Sequence, residues 1–582
     1  MTWPRYDGPE DLAAIEAVPL ADRGLPESTY ELLRRAGSRF ADRPALTLLP
    51  SGEAWEHAET WTYGDLLARV HRIANVLTDL GVTRRDAVAL LAPNSGDVFA
   101  ATLAAQAVGI AAPVNPGLAP HQVRELLETS GARLVIAADP DLDVGRPVLS
   151  LTELAARADA ADPVRLHAEP PRGTDFAGYF HTGGSTGTPK IAVHTQAGEV
   201  AMAWTLAAST GDDDLVLLAA LPLFHVNALL VTGLAPLFKG QHVVWAGPLG
   251  YRDPALYPVF WRIVERYRIG AMSAVPTVYA VLAHLPVDAD ISSLTFPIVG
   301  AAPLPAAVRR QWRERTGTEL VEGYGLTEGT CASARGFLEC HSPGVSRPGT
   351  VGQRMPYQEV KAVRIDGDGW TDLLPGETGV LVIRGPNVFP GYLRDGEPDP
   401  AGKVIDGWLD TGDLGSVDAE GFIRLAGRAK DLIIRGGHNI DPATIEEALL
   451  THPAVSAAAA IGRPDRHSGE VPVVYVTLHA PTPSAELLEW AATRVPERAA
   501  VPKAVHVVPE IPLTAVGKQY KPALRQDTLR RVAEAEVAAL DLDAKVTVEL
   551  DRDEPVVVIA APPSAPLATA LDAYAFRWRW GS

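Results

Sequence analysis

Three features of the sequence predict an α/β fold. Strands alternate with helices between residues 60 and 430, Gly and Pro punctuate short strands from about residue 350, and a compact helix-and-strand pattern follows residue 430. The expected architecture is a large N-terminal domain with parallel-rich sheets plus a β-rich subdomain, followed by a small α+β C-terminal domain. The 582 residues hold roughly three to four domains' worth of chain.

The elements follow from local pattern. Residues 86–93 (DAVALLAP) read as a strand, as do RLVIAAD, LVLLAALP, HVVWAG and FPIVGAA. Helical periodicity marks TYGDLLARVHRIANVLTDLG and HQVRELLETSG, the second stopped by Gly131 as a C-cap. PGETGVLVIRGPNVFPGYL carries the short strands of the β-rich part. Asp441 followed by Pro442 reads as an N-cap and first helical position, opening a helix to about Thr451. AVSAAAAIGRP and EVPVVYVTL are strand-like, and SAELLEWAATRVP is helical. These patterns divide the chain into a large domain (1–429), a small domain (430–525) and an extension (526–582). The extension is expected to have a charged helix near 527–540, a β-hairpin and the aromatic end FRWRW.

Composition narrows the function. The 71 Asp and Glu residues outnumber the 52 Lys and Arg, for a net charge of −19, which argues against gripping nucleic acid or anionic lipid through the overall field. Two cysteines, Cys331 and Cys340, provide no disulfide framework, so a reducing compartment is expected. The acidic first 20 residues lack a basic region followed by an apolar one, and a cytoplasmic protein is expected. The longest apolar stretch, residues 221–238, is interrupted by His225, Asn227, Gly233 and Pro236, and reads as buried core instead of a membrane span.

Residues 180–190, FHTGGSTGTPK, concentrate chemistry suited to a polyphosphate. Thr182, Gly183, Gly184, Ser185, Thr186, Gly187 and Thr188 combine free backbone N–H groups with hydroxyls, and Lys190 closes the loop. Lysine is scarce here, nine against 43 arginines, so a lysine beside this loop stands out. Pro189 stands where the GxxxxGK[ST] template needs glycine, which disfavours an ordinary P-loop. Downstream, Glu322, Gly323, Tyr324, Gly325, Leu326, Thr327 and Glu328 place an aromatic between glycines, then a hydroxyl and a carboxylate. Tyr324 suits base stacking, Thr327 a phosphate oxygen, and Glu328 Mg²⁺, a hard ion that prefers oxygen ligands.

The loop, EGYGLTE, WLDTGD (408–413), GRAKDLII (427–434) and the lysine of LTAVGKQYK (513–521) occur in one order. Over about residues 30–525 the chain resembles the acyl-adenylate-forming family, which contains AMP-forming acyl-CoA synthetases, stand-alone adenylation domains and luciferases. The resemblance implies ATP, Mg²⁺ and CoA as ligands, acid activation as acyl-AMP with release of pyrophosphate, then transfer to CoA after the small domain rotates. It implies that Gly300, Ala301 and Ala302 line the adenine and acid sites, that Asp413 accepts the ribose hydroxyls, and that Arg428 contacts the ribose. Lys430 is implied as the hinge, Lys518 as the cation that neutralises charge on the α-phosphate, and Thr186 and Lys190 as further catalytic groups. His225 would border the carboxylate, and Gly436, Gly437 and His438 would lie along the pantetheine path. Gly183 and Ile191 depart from the serine and glycine common at those positions.

No Lys or Arg falls within 221–238 or 275–279, so an uncharged acyl or aryl acid is preferred over a dicarboxylate. Asn227 is the polar residue near His225 suited to reading a substrate hydroxyl or amide. GGHN (436–439) resembles a carrier-domain motif, but Asn439 has no hydroxyl to carry phosphopantetheine, so the acceptor is free CoA or a separate carrier protein. The rival reading is a stand-alone adenylating enzyme that passes the activated group to a carrier protein or a non-CoA nucleophile.

Overall fold

The computed structural model describes residues 3–182, 190–210, 214–339, 344–366, 369–400, 402–436, 438–514, 517–551 and 554–581. Two sheets carry the large domain. In the first, Ala87–Leu91 lies between Ile110–Pro113 and Leu134–Ala137, all parallel, and Phe176–Thr182 runs parallel beside Ile110–Pro113. The chain then reverses. Lys190–Thr195 pairs antiparallel with Phe176–Thr182, setting Lys190 opposite Thr182, and Tyr392–Arg394 joins antiparallel on its other side. The polyphosphate loop is therefore the connection of a β-hairpin, whereas a P-loop leads directly into a helix. The second sheet has a parallel centre, with Val216–Ala219 between His242–Trp245 and Ile269–Ala274, then Phe296–Val299 and Val321–Tyr324.

Two helices fill the space between the sheets. Gly96–Val108 and Gln196–Ser209 are apolar and small on almost every side, and nearly every residue in each is buried. Helices with no polar face are stable only between layers. Phe99 and Ala203 pack there against Val88, Ala111 and Phe180 of one sheet and Leu217, Val243 and Phe296 of the other. Helices also cover the outer faces, Pro120–Thr129 on the first sheet and Phe260–Tyr267, Pro276–His284 and Ala306–Thr316 on the second. Both faces of the parallel strands are thus buried, which is why Ala87–Leu91 reads as an unbroken apolar run.

Residues 221–238 are buried core as expected. The segment folds as helix Val226–Leu229, a π-helical turn Leu230–Leu234 and helix Ala235–Lys239. Gly233 leaves room for Phe99, whose Cε2 would lie 2.9 Å from an added Cβ. Among the described residues no helix is long and apolar enough to cross a membrane.

The β-rich subdomain is an antiparallel sheet of Glu359–Asp366, Gly379–Arg384, Trp408–Val417 and Ile423–Arg428, with short edge strands. In the small domain, Val455–Asp465 and Gly469–Leu478 form a long antiparallel pair. The hairpin Ile433–Arg435/His438–Ile440 and the strand Val505–Val507 both pair with the free edge of Gly469–Leu478, the hairpin at its start and Val505–Val507 further along. Asp441 caps helix Pro442–Leu450 by accepting the Ala443 N–H at 3.0 Å.

A boundary at 525/526 falls inside a helix, Lys521–Ala539, that begins earlier than the charged pattern indicated. Its first half belongs to the small domain. Leu524 packs with Ile461 and Tyr475, and the Tyr475 hydroxyl donates to Asp527 at 2.8 Å and lies 3.0 Å from the Thr528 hydroxyl. Its second half carries the extension, where Leu529, Ala533 and Val537 pack on Val546, Val557 and Ile559. The hairpin Lys545–Asp551/Glu554–Ala560 forms as expected, and the aromatic end adds a third strand, Arg577–Trp580, parallel to Glu554–Ala560. The short apolar face of the hairpin needs the helix, so the extension is continuous with the small domain.

A chain ended after residue 525 orphans the buried Tyr475 hydroxyl and strips that helix. It is expected to lower the small domain's melting temperature by roughly 10 °C in calorimetry. A chain ended after residue 540 keeps the Tyr475 contacts and is expected to lose far less; equal losses would place the dividing line elsewhere.

Candidate active site

The EGYGLTE segment starts as strand Val321–Tyr324 and ends in the tight turn Thr327–Gly329. A Cβ on Gly325 would stand 1.7 Å from the Cys331 carbonyl oxygen, so only glycine fits. Thr330, a β-branched residue, is held at φ 65° while its hydroxyl donates to the Asn387 carbonyl at 2.5 Å. Such backbone strain persists only where the surroundings over-determine it. On the next strand a Cβ on Gly300 would lie 3.2 Å from the Gly323 carbonyl. Ala301 follows at φ 71°. The paired glycines on adjacent strand ends let the two backbones approach with no side chain between them. The Glu322 carboxylate, by contrast, is committed to Arg309 of helix Ala306–Thr316.

Asp413 and Arg428 face each other directly on paired strands, with Arg428 Nε 3.1 Å from Asp413 Oδ1. The Tyr324 hydroxyl donates to the other oxygen, Oδ2, at 2.7 Å. Burial raises the Asp413 carboxyl, while Arg428 and the Tyr324 hydroxyl pull it back down. Neighbouring Asp410 does something different: its Oδ1 accepts the Gly412 N–H at 2.8 Å, a loop-stabilising Asx turn.

Lys518 reaches this cluster from the small domain. Its loop is closed by Thr514 N–H to Lys518 carbonyl (2.7 Å) and Lys518 N–H to the Thr514 hydroxyl (3.1 Å). The Gly517 carbonyl accepts from the Thr277 hydroxyl of the large domain at 3.2 Å. Burial, then the Arg428 charge, draws the Lys518 amine down to about 8 against the opposing pull of Asp413 and Glu328. The structure thereby brings together Lys518, Arg428, Asp413, Tyr324 and Glu328.

His225 lies within the field of the Lys518 charge. Its Nδ1 accepts the Asn227 N–H at 3.3 Å and caps helix Val226–Leu229, which leaves Nε2 as the protonated nitrogen. Burial, then Lys518 and His181, lowers its pKa to about 3. Burial alone takes His181 to about 4; this ring stacks on Phe224 with centroids 5.8 Å apart. Both imidazoles are neutral donors or acceptors at physiological pH. Asn227 has a buried Oδ1 without a hydrogen-bond partner among the described residues. An orphaned amide beside the acid site fits a group that reads a polar substrate atom.

Thr182 and Lys190 mark the ends of the polyphosphate loop, with the Thr182 hydroxyl donating to the Lys190 carbonyl at 3.3 Å. Gly183, Gly184, Ser185, Thr186, Gly187 and Thr188 lie outside the described residues, as does Gly437. Gly436 turns the Ile433–Arg435/His438–Ile440 hairpin at φ 56°. His438 is exposed beside Glu497, 3.3 Å away. Lys430 sits exposed in the short turn Ala429–Asp431, where Arg525 donates to its carbonyl (3.2 Å) and to Asp431 (2.9 Å). Among the described residues no group of three His, Cys, Asp or Glu holds a metal by itself. A lone carboxylate, Glu328, fits Mg²⁺ that draws its other ligands from phosphate and water.

Sequence reasoning missed His181, Arg525 and Tyr392, whose hydroxyl donates to Glu328 Oε1 at 2.5 Å. Arg525 and Tyr392 come from segments far along the chain, and only folding brings them near; His181 stands next to Thr182 within FHTGGSTGTPK, and its burial is what singles it out.

The Lys518 position sets a pH dependence. An amine near 8 in the free enzyme loses its proton as pH rises through that value, and with it the positive charge that the family resemblance assigns to the α-phosphate. The kcat/KM for pyrophosphate release is therefore expected to fall above about pH 8, with no acid limb from His225 or His181 above pH 5. Lys518→Arg, whose guanidinium stays charged, should lower the plateau and remove the alkaline limb. A limb unchanged in that variant would belong to another group.

Residues 33–393 match the AMP-binding enzyme family, and residues 444–518 match the AMP-binding enzyme C-terminal domain. The marinolic acid–CoA ligase of a Pseudoalteromonas species is 35% identical, over 93% of this chain and 88% of its own. A feruloyl-CoA synthase of an Amycolatopsis species is 34% identical, over 82% and 96%. The solved o-succinylbenzoate coenzyme A synthetase of Bacillus subtilis, in complex with ATP and magnesium ion, superposes with a TM-score of 0.72 at 28% identity. That match covers 84% of this chain and 98% of the solved one. With both parts of the family in order along one chain, and relatives of 34–35% identity matched over most of its length, the chain belongs to the AMP-binding, acyl-adenylate-forming enzymes.

Proposed function

We propose that the protein is a cytoplasmic ATP-dependent, AMP-forming acid:CoA ligase acting on an uncharged acyl or aryl acid, with residues 1–429 and the small domain as its two working bodies. The observation that carries this reading is the Lys518 loop of the small domain, bonded to the large domain through the Thr277 hydroxyl and the Gly517 carbonyl, with Lys518 buried in the field of Arg428, Asp413 and Glu328. A binding protein has no use for that arrangement.

In the first half-reaction a carboxylate oxygen attacks the α-phosphorus of ATP, the Pα–O bond to the β-phosphate breaks, and pyrophosphate leaves with the electron pair. An anion approaching a polyanion is repelled, so fixed positive charge at the α-phosphate is what the step needs. Lys518 supplies it on the small-domain side. Bound at Glu328, Mg²⁺ would supply further positive charge to the phosphates. Asp413, held by Tyr324 and Arg428, takes the ribose hydroxyls and so fixes the nucleotide along the line of attack. The Nε2–H of His225 orients the acid carboxylate without adding a charge that would blunt its nucleophilicity. Gly300, Ala301, Ala302 and Gly323 shape the adenine slot, and the loop from Thr182 to Lys190 cradles the β- and γ-phosphates.

In the second half-reaction the CoA sulfur attacks the acyl carbon, AMP leaves with the bonding electrons, and the thiol proton passes to solvent. Lys518 occupies the ground that a thiol must reach, while Gly436 and His438 are exposed and His438 stands beside Glu497. Rotation at Lys430 exchanges the two. The acid pocket has Asn227 as its polar reader and no Lys or Arg among residues 221–238.

An acid panel assayed for pyrophosphate release with and without CoA, with mass detection, tests the reading. A CoA-thioester of an aryl or acyl acid is expected. Pyrophosphate release indifferent to CoA, with no thioester mass, would contradict it.

The hinge has its own test. Proline fixes φ near −65° and restricts the residue before it. Lys430→Pro is expected to hold the present orientation, so single-turnover pyrophosphate release survives while thioester formation from supplied acyl-AMP falls about 100-fold or more. If both half-reactions slow equally in a well-folded variant, the pivot lies elsewhere.

A further inference from the structure

Glu328 is gripped from three directions. The His194 Nε2–H donates to the carbonyl of Thr327 at 2.8 Å, and the Phe389 N–H donates to the carbonyl of Glu328 at 2.9 Å. Both bonds fix the backbone of the turn. The carboxylate itself is held by Tyr392, whose hydroxyl stands 2.5 Å from Oε1. A short O–H···O⁻ bond of this kind sets both the rotamer and the tilt of a carboxylate. Among the described residues Tyr392 engages Oε1, which leaves Oε2 as the oxygen to offer a cation.

Tyr392 also meets the other charge at this end of the site. Its strand pairs with Lys190–Thr195, setting Tyr392 opposite Ala192, and the Lys190 Nζ lies 5.0 Å from the centre of its ring. Phe389 packs edge-on against the same ring, with centroids 5.0 Å apart and planes at 83°, so the ring has little freedom. One side chain thus touches the carboxylate read as the metal holder and the lysine that closes the polyphosphate loop. It reaches both because the antiparallel strand Tyr392–Arg394 is added beside the hairpin that carries the loop.

We propose that Tyr392 is the positioning residue of the metal site: its hydroxyl aims the Glu328 carboxylate so that one oxygen is presented to the Mg²⁺ of MgATP, while its ring seats the Lys190 ammonium beside the same phosphates. The proposal rests on the reading of Glu328 as the metal-holding carboxylate. Tyr392 is not itself a ligand. It acts as the outer hydrogen-bond partners of metal ligands do, by fixing the orientation of the ligand.

Tyr392→Phe removes the hydroxyl and keeps the ring over Lys190. The readout is calorimetric binding of a non-hydrolysable ATP analogue to the full chain over a series of free Mg²⁺ concentrations, with Glu328→Gln as reference and AMP as a metal-independent control. Tyr392→Phe is expected to raise the Mg²⁺ concentration for half-maximal binding about tenfold, the usual effect of losing an outer-shell partner. AMP affinity and acyl transfer from supplied acyl-AMP should not change, and Glu328→Gln should raise the midpoint at least as far. A midpoint unmoved in Tyr392→Phe but raised in Glu328→Gln would overturn the proposal and leave the reading of Glu328 standing. A midpoint unmoved in both would remove Glu328 from the metal and the proposal with it. A fall in AMP affinity as large as the midpoint shift would show that Tyr392 merely supports the fold, and would also overturn the proposal.

Discussion

Taking a lysine amine out of water next to an arginine disfavours its charge, and the rest of this structure is arranged around that cost. Lys518 stands largely buried beside Arg428 and remains usable as a cation because Asp413 and Glu328 oppose the shift. Those carboxylates belong to the large domain and the lysine to the small one, so the charges balance in one relative orientation of the two. Asp413 is in turn held by Tyr324 and Arg428, and the Lys518 loop is pinned by the Thr277 hydroxyl on the Gly517 carbonyl. On the proposed reading of Lys518, the orientation seen is the one suited to making acyl-AMP. The same crowding that makes Lys518 effective there makes it an obstacle to an incoming thiol.

If Lys430 is the hinge, as proposed, both it and the extension are connected to that balance. Arg525, in the first turn of helix Lys521–Ala539, bonds the carbonyl of Lys430 and the carboxylate of Asp431. Further along the same helix lie the extension's hairpin and its Trp-bearing third strand. Any rotation at Lys430 must release or carry the Arg525 contacts, and it moves the extension as part of the small domain.

Much of this was legible in the sequence because the chemistry was local. Glycines at 323, 325 and 300 announce backbone approach, and Gly325 lies where even a methyl group would collide with the Cys331 carbonyl. The Asp441–Pro442 start, the buried run 221–238 and the short strands of the β-rich part follow from propensity and period. What the sequence concealed depends on tertiary register. Nothing within PGYL says that Tyr392 will pair with the strand after the polyphosphate loop and reach Glu328, 64 positions away. Nor does a charged helical pattern reveal that residue 525 clamps the hinge, or that one helix serves two domains. Glu322 shows the converse: it belongs to a functional motif, yet its carboxylate serves the packing of a neighbouring helix through Arg309.

The central claim is that one domain orientation makes acyl-AMP and another consumes it. His284 at the end of helix Pro276–His284 and His479 of the small domain face each other across the interface, with ring centroids 5.5 Å apart. Replacing both with cysteine and joining them with a short thiol-reactive linker fixes the orientation seen here. The most direct measurement is a single turnover of the linked enzyme with acid, MgATP and CoA, following pyrophosphate and thioester together. Near-stoichiometric pyrophosphate and acyl-AMP without thioester, restored when the linker is cleaved, is the result predicted. Thioester formed at the unlinked rate, or loss of pyrophosphate release in the linked enzyme, would contradict the account.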